Sequence, residues 1–194
     1  ATEEALENAF SDIYMAVGQL GMNEVVRGRL AGDDAVSDYQ VYRELYSVTS
    51  KSGKYADYAI YDTEGYLVTL IVKNQYVKEK LPLDWGVLYE VTMAPDTCVT
   101  RNARIYEGEK REEYLRVAEA VQDEQGNITG YTVAAILKDN FNDMLTGIGK
   151  EKQGILYIID DFQETVYCSE KSYDEDQLRT IRRELDGIER RESV

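Results

Sequence analysis

The chain has 194 residues, enough for one ordinary domain or two small ones with a real hydrophobic core. It carries 22 Lys and Arg residues against 37 Asp and Glu residues, and the resulting net charge of −15 disfavours binding to a nucleic acid. It has no histidine, which excludes Ser-His-Asp and Cys-His catalytic systems and histidine-ligated metal sites.

The first thirty residues are predicted to form one helix. Its apolar residues alternate between spacings of four and three, as in a coiled-coil seam: Leu6, Phe10, Ile13, Val17 and Leu20. After Gly21 the apolar pattern shifts in phase, and residues 31–34 end the helix. A seam of this kind packs either on the protein's own sheet or on a second copy of the same helix, and the pattern leaves both open.

A shorter helix is predicted over residues 38–50. The next two runs, 55–61 and 66–72, are rich in β-forming residues and flank a polar turn with Gly65 near its end, which indicates a hairpin. Residues 73–97 show no regular period and contain both prolines and the single tryptophan, Trp85. We expect an irregular lid or pocket wall there.

Three further strands are predicted over residues 97–106, 113–122 and 128–137, separated by short turns. A short helix is expected over residues 139–145, because Asp139 is a good N-cap and glycines follow. The three strands are close enough in sequence to form an antiparallel meander.

Residues 154–168 repeat the design of the first hairpin, residues 57–69. Each segment has an apolar strand that ends in Asp, a polar turn and a second β-branched strand, with Glu164 set against Gly65. A closing helix is predicted over residues 172–191. The repetition suggests that a second module of the same design begins here.

This order of elements resembles that of Cache domains, the PAS-like extracellular sensor modules of bacterial histidine kinases, chemoreceptors and diguanylate cyclases. Residues 60–68 (IYDTEGYLV) resemble the first hairpin of that family, and residues 116–130 (RVAEAVQDEQGNITG) its last hairpin, with residues 131–137 as the return strand. Residues 155–168 are similar to the entry hairpin of the membrane-proximal module in a double Cache domain.

The resemblance implies an α+β fold with a five-stranded antiparallel PAS-like sheet, a long N-terminal helix and a partial second PAS-like module. Residues 1–35 would be the signalling and dimerisation helix, residues 36–150 the membrane-distal module and residues 151–194 the start of a membrane-proximal module. It also implies a non-catalytic sensor without cofactor or metal, a fragment of a membrane receptor on the extracytoplasmic face of the cell membrane. Such a sensor would bind a small molecule, form a homodimer through the N-terminal helix and reach the membrane only through segments outside this fragment.

A PAS-like fold holds its ligand between the sheet and the lid, in a mostly apolar pocket with a few polar anchors. The candidate ligand-binding residues are arginines of the meander and aromatic residues near the lid: Tyr58, Tyr61, Trp85, Tyr89, Arg101, Arg104, Tyr106 and Arg116. Arginine suits bidentate capture of a carboxylate, so we expect a carboxylate or an amino acid as ligand. Alternatively, these arginines pair with glutamates of adjacent strands, such as Glu113 or Glu119.

One departure from the family concerns the ligand. Double Cache domains that bind amino acids carry an Arg shortly before a Trp-Tyr pair in the lid. Here Leu83 and Asp84 precede Trp85, and Gly86 follows it, so this anchor is not reproduced. The ligand class of those relatives is therefore not implied for this chain.

Two other functions remain open. With 16 tyrosines, the chain could be an adhesion or scaffold module whose Tyr-rich face binds another protein. A carboxylate-dependent hydrolase is the third possibility, but it would need two carboxyl groups with separated pKa values in one cleft, and the sequence shows no such pair.

Overall fold

The protein is described by a computed structural model that covers residues 2–71, 77–107, 110–137, 145, 157–160, 162, 164–168, 180 and 183. The helices in this part of the chain are α1 (Thr2–Met22), α2 (Glu24–Leu30), α3 (Asp38–Val48) and α4 (Gly86–Met93). The strands are β1 (Asp57–Asp62), β2 (Leu67–Ile71), β3 (Val99–Glu107), β4 (Lys110–Gln122), β5 (Ile128–Leu137), β6 (Tyr157–Ile159) and β7 (Thr165–Cys168). None of the helices in the described residues is both long and apolar enough to cross a membrane.

Five strands form one sheet in the order β2-β1-β5-β4-β3, and all neighbours in it are antiparallel. The predicted five-stranded antiparallel sheet is therefore confirmed, together with the hairpin and the meander that compose it. Successive residues of a strand point to opposite faces, so the sheet buries two separate apolar clusters. One cluster lies under α1, α2 and α3, and the other lies under α4.

The predicted single N-terminal helix is two helices. Asn23 has an extended backbone conformation that interrupts the helix. Its side-chain oxygen accepts hydrogen bonds from the N–H groups of Val25 and Val26 at 3.0 and 3.1 Å. Asn competes for backbone hydrogen bonds inside a helix and is a favoured N-cap, so the helix restarts here. The shift in apolar phase after Gly21 marks this break.

The apolar seam of α1 faces the protein's own sheet. Ile13, Val17 and Leu20 are completely buried in a cluster that includes Leu115 and Ala134 of the sheet. The structure therefore shows the protein's own sheet, one of the two predicted partners, packed against the apolar seam of α1. A homodimer through the N-terminal helix remains a prediction, and it would need a face other than these three residues.

The lid contains a helix where none was predicted. Helix α4 begins after Trp85, which occupies its N-cap position, and buries Val87, Leu88 and Val91 against the sheet face opposite α1. Eight residues are too few for a clear helical period, the first of them is Gly86, and Pro82 lies four residues before it. Packing on the sheet therefore decides the conformation of this segment.

Strands β6 and β7 form the predicted second hairpin. In it the Asp160 carboxylate accepts hydrogen bonds from the N–H groups of Phe162 and Glu164, as Asp62 does from Glu64 and Tyr66 in the first hairpin. Glu164 thus corresponds to Tyr66, one position later than the predicted match to Gly65. The predicted helices at 139–145 and 172–191 lie outside the described residues, apart from single helical positions.

Candidate ligand-binding site

A recess of about 230 Å³ lies between helix α4 and strands β3 and β4, directly behind Trp85. It is the hollow expected between the sheet and the lid of a PAS-like fold. Its lining combines apolar lid residues with polar residues of the sheet and one of the second hairpin: Leu81, Pro82, Trp85, Gly86, Val87, Leu88, Arg101, Asn102, Ala103, Arg116 and Glu164. This mixture is typical of a small-molecule site.

The first hairpin holds the lid in place. Gly65 accepts a hydrogen bond from the N–H of Leu81 at 2.9 Å, and Leu67 donates one to the carbonyl of Glu79 at 2.9 Å. Gly65 has a φ of 80°, and a Cβ atom at this position would overlap the carbonyl oxygen of Leu81. Only glycine combines this left-handed conformation with so close a backbone approach.

Two arginines enter the recess from neighbouring strands. Arg101 of β3 and Arg116 of β4 occupy directly paired positions. Arg101 forms an ion pair with Glu90 of α4, with 3.6 Å between Nη1 and Oε1, and its guanidinium carbon lies 4.4 Å from the ring centroid of Phe162. The predicted alternative, pairing with Glu113 or Glu119, is not seen for Arg101, whose carboxylate partner comes from the lid helix instead.

Arg116 is in a different environment from Arg101. It is only 8% exposed, and no carboxylate among the residues that the structure describes lies within ion-pair distance of it. Burial lowers the pKa of Arg116, and the nearby hydroxyls of Tyr61 and Tyr114 oppose that shift. The recess therefore contains a buried cationic donor whose planar guanidinium can hold a carboxylate with two parallel hydrogen bonds.

Tyr61 lies beneath the lid beside this guanidinium. Its hydroxyl donates a hydrogen bond to the backbone carbonyl of Lys78 at 2.8 Å. Burial raises the pKa of Tyr61 to about 12, although the charge of Arg116 opposes the rise. Tyr61 is thus a neutral neighbour that packs against the lid, and it does not itself line the recess.

Among the predicted site residues, the structure brings Trp85, Arg101 and Arg116 together in the recess. Two of the others lie outside the recess, and a part in ligand binding stays a prediction for both. Tyr58 points to the opposite face of the sheet because its position has the other parity along β1 from Tyr61, and there it is bonded to Ser52. Tyr89 lies on α4, is 40% exposed and does not line the recess.

The side chains of Arg104 and Tyr106 lie outside the described residues. Their backbone positions are known: Arg104 is paired with Glu113, and Tyr106 with Arg111, near the end of the β3–β4 ladder. Whether either side chain contributes to the site stays a prediction.

The residues that the sequence analysis missed come from α4 and from the second hairpin. Glu90 neutralises Arg101 from α4, but no helical period marks that segment in the sequence. From the β6–β7 hairpin, which was predicted as part of a separate module, Glu164 lines the recess and Phe162 contacts Arg101. In the sequence, only the repeated Asp-turn pattern indicated this hairpin, and such a repeat does not show on which part of the protein the hairpin packs.

No known family profile and no curated protein matches the chain. Solved structures do share its fold. The sensory domain of a Campylobacter jejuni chemoreceptor with isoleucine bound has 12% sequence identity and a TM-score of 0.59, over 90% of this chain and 71% of that one. A domain of a sensory box/GGDEF family protein from Vibrio parahaemolyticus has 12% identity and a TM-score of 0.58, over 75% of this chain and 59% of that one.

An extracellular ligand binding receptor from Desulfohalobium retbaense aligns over 93% of this chain with 12% identity and a TM-score of 0.63. The chain spans only 32% of the length of that receptor and 59% of the Vibrio domain. At these identities the likeness shows the fold alone. The chain thus shares the fold of these solved sensory and ligand-binding domains, and this is the α+β fold with a five-stranded antiparallel sheet that the order of the elements predicted.

Proposed function

We propose that this chain is the ligand-binding part of a sensor domain and that its recess takes a small molecule with a carboxylate group. One observation carries the proposal. Arg116 is buried, lines the recess and has no carboxylate partner in the described part of the chain. A buried charge without a partner is strongly disfavoured, and a bound carboxylate would supply the missing partner with bidentate geometry.

The similar structures support the role of a sensor without specifying the ligand. The Campylobacter domain belongs to a chemoreceptor and has isoleucine bound, and the receptor from Desulfohalobium is described as extracellular and ligand-binding. By analogy of fold, we place this chain on the extracytoplasmic side of a bacterial membrane receptor and assign it no catalytic activity.

Strand β4 connects the recess to the N-terminal helix. Arg116 points into the recess, while its neighbours Leu115 and Val117 pack in the cluster that contains Ile13 and Val17 of α1. A ligand that binds one arrangement of this strand and helix more tightly than another shifts the population toward that arrangement. We propose that α1 transmits ligand occupancy in this way.

Trp85 allows the proposal to be tested directly, because it is the only tryptophan and it lines the recess. A library of carboxylates and amino acids is screened by Trp85 fluorescence and by thermal stability. A ligand present at about a hundred times its Kd should add roughly 2.7 kcal/mol to the free energy of unfolding.

The decisive variant is Arg116→Gln, and Arg29→Gln is its control. Arg29 lies far along the chain in a surface ion pair with Asp38, so both variants remove one positive charge. We expect Arg116→Gln to abolish the ligand response and Arg29→Gln to retain it. Equal responses in the two variants, or a library without a single hit, would overturn the carboxylate proposal.

A second candidate function rests on helix α3. Tyr39, Tyr42 and Tyr46 follow one another at helical spacing and are 68%, 46% and 60% exposed. Exposed tyrosines are enriched at protein interfaces, so this face favours the adhesion or scaffold alternative. A receptor fragment that captures a protein partner, loses it in Tyr42→Ser and is unaffected by Arg116→Gln would support that alternative.

A further inference from the structure

The β6–β7 hairpin is attached to the sheet at the recess. Among the described strands, β3 lies at the edge of the sheet and pairs with β4 alone. The backbone N–H of Asn102 in β3 donates a hydrogen bond to Asp160 Oδ2 at 2.9 Å. Both residues are buried. The two carboxylate oxygens of Asp160 therefore have different partners. Oδ1 accepts hydrogen bonds within the turn of the hairpin, and Oδ2 attaches that turn to the sheet.

A second contact holds the same turn. The ring of Phe162 lies against the guanidinium of Arg101, a cation–π arrangement that also shields Arg101 from water. Arg101 is thus compensated on one side by Glu90 and packed on the other by Phe162. Because Arg101 already contacts Glu90 and Phe162, Arg116 is the arginine of the recess that can bind an anionic ligand.

Glu164 follows two residues after Phe162 and lines the recess. Its backbone N–H is bonded to Asp160 Oδ1 at 2.8 Å and its carbonyl to the Asp160 N–H at 3.0 Å, so its position is fixed by the turn. Among the residues that the structure describes, the recess is thus lined by Arg116, which has no carboxylate within ion-pair distance, and by the acidic residue Glu164.

We propose that Glu164 determines ligand selectivity by admitting one anionic group and opposing a second. This inference rests on the proposed binding of a carboxylate at Arg116. Two like charges that share the confined volume of the recess repel each other more strongly than they do when both are fully surrounded by solvent. Repulsion of a second charge on the ligand contributes to specificity just as a favourable contact to its first charge does.

The test compares butyrate with succinate, which have the same number of carbon atoms but one and two carboxylates. Each is titrated by calorimetry and Trp85 fluorescence into the wild-type chain and the Glu164→Gln variant. We expect the wild type to prefer butyrate and the variant to shift the butyrate-to-succinate affinity ratio toward succinate by about tenfold. Glu124→Gln is the control, because it removes a charge from an exposed turn of another hairpin.

A ligand-independent measurement accompanies these titrations. Trp85 is 62% exposed at the edge of the recess, so its quenching by iodide reports how closely an anion approaches this edge, and quenching by neutral acrylamide reports steric access to it. We expect Glu164→Gln to raise iodide quenching relative to acrylamide quenching, Arg116→Gln to lower it, and Glu124→Gln to leave it unchanged.

The outcomes separate the two proposals. An unchanged affinity ratio and unchanged iodide quenching in Glu164→Gln overturn the role of Glu164, while loss of butyrate binding in Arg116→Gln still supports the carboxylate site. If neither probe binds the wild type, the carboxylate site loses its support, and iodide quenching alone decides whether Glu164 controls anion access.

Discussion

Arg101 and Arg116 lie directly opposite each other on β3 and β4 and both line the recess, but within the described residues only Arg101 has a carboxylate partner. Like charges at paired positions of neighbouring strands destabilise a sheet. The arrangement therefore lowers the stability of the free protein and leaves Arg116 available to an anion. Strain of this kind is common where a protein maintains a binding site.

The first prediction concerns Arg116→Met, which replaces the guanidinium side chain by a shorter, unbranched apolar one and removes its charge. We expect the free energy of unfolding of the unliganded chain to rise by about 1 kcal/mol, because the repulsion from Arg101 and the burial of the charge both disappear. Urea unfolding monitored by Trp85 fluorescence measures the change. A marked loss of stability would mean that Arg116 has a structural partner and would contradict the proposed site.

The second prediction concerns Tyr58, which the sequence placed in the site and the structure places beneath the helices. Its hydroxyl and the Ser52 hydroxyl are hydrogen-bonded in a fully buried position. Tyr58→Phe leaves the Ser52 hydroxyl without its partner and should cost about 2 kcal/mol. The double variant with Ser52→Ala should cost less than the sum of the single changes, since both polar groups are then gone. Ligand binding should be unaffected in all three variants.

The third prediction uses two matched glycines. Gly65 and Gly126 each follow an Asp by three residues in a hairpin turn, with φ values of 80° and 82°. A Cβ atom at Gly126 would meet only a side-chain oxygen of Gln122 at 3.6 Å, whereas at Gly65 it would meet the backbone of Leu81.

Gly126→Ala should therefore cost about 1 kcal/mol for the backbone conformation alone. Gly65→Ala should cost at least about 1 kcal/mol more and should also change the Trp85 fluorescence, because it displaces the lid. Equal unfolding free energies and equal emission spectra would show that the lid is not held at Gly65.

The fourth prediction concerns alkaline pH. Burial raises the pKa values of both Tyr58 and Tyr61 from 10.0 to about 12 in the folded chain, whereas in the unfolded chain they return toward 10.0. Between these values the folded state retains protons that the unfolded state has released. The free energy of unfolding should therefore fall by up to about 1.4 kcal/mol per pH unit for each tyrosine as the pH rises from 10.0 to about 12.

Urea unfolding at a series of alkaline pH values tests this slope. The double variant with Phe at both positions is the control, and its stability should depend less steeply on pH over the same range. A wild type and a double variant with parallel pH profiles would show that these hydroxyls titrate normally in the folded chain.

Local patterns were sufficient for the strands. The runs of β-forming residues in β1, β4 and β5 and the Asp-x-x-Gly turns at Asp62 and Asp123 are signals that act over a few residues. The hairpin and the meander could therefore be predicted together with their antiparallel pairing. The break at Asn23 and the helix α4 were missed. Both depend on tertiary packing. Asn23 can cap α2 only where packing allows the chain to depart from the helical conformation, and an eight-residue helix such as α4 is stable only when it packs on the sheet.

The site was less predictable than the fold because it joins residues that are far apart in the chain. The sequence alone determined the approximate positions of the strands, the antiparallel sheet and the presence of arginines on adjacent strands near a tryptophan lid. Tertiary structure decided which face each tyrosine occupies and that Glu164 of the second hairpin lines the same recess. It also decided that Glu90 pairs with Arg101, while Arg116 is buried with no carboxylate partner among the described residues. The physical reason is that secondary structure follows from interactions between neighbours in sequence, whereas burial and charge compensation depend on which distant segments meet.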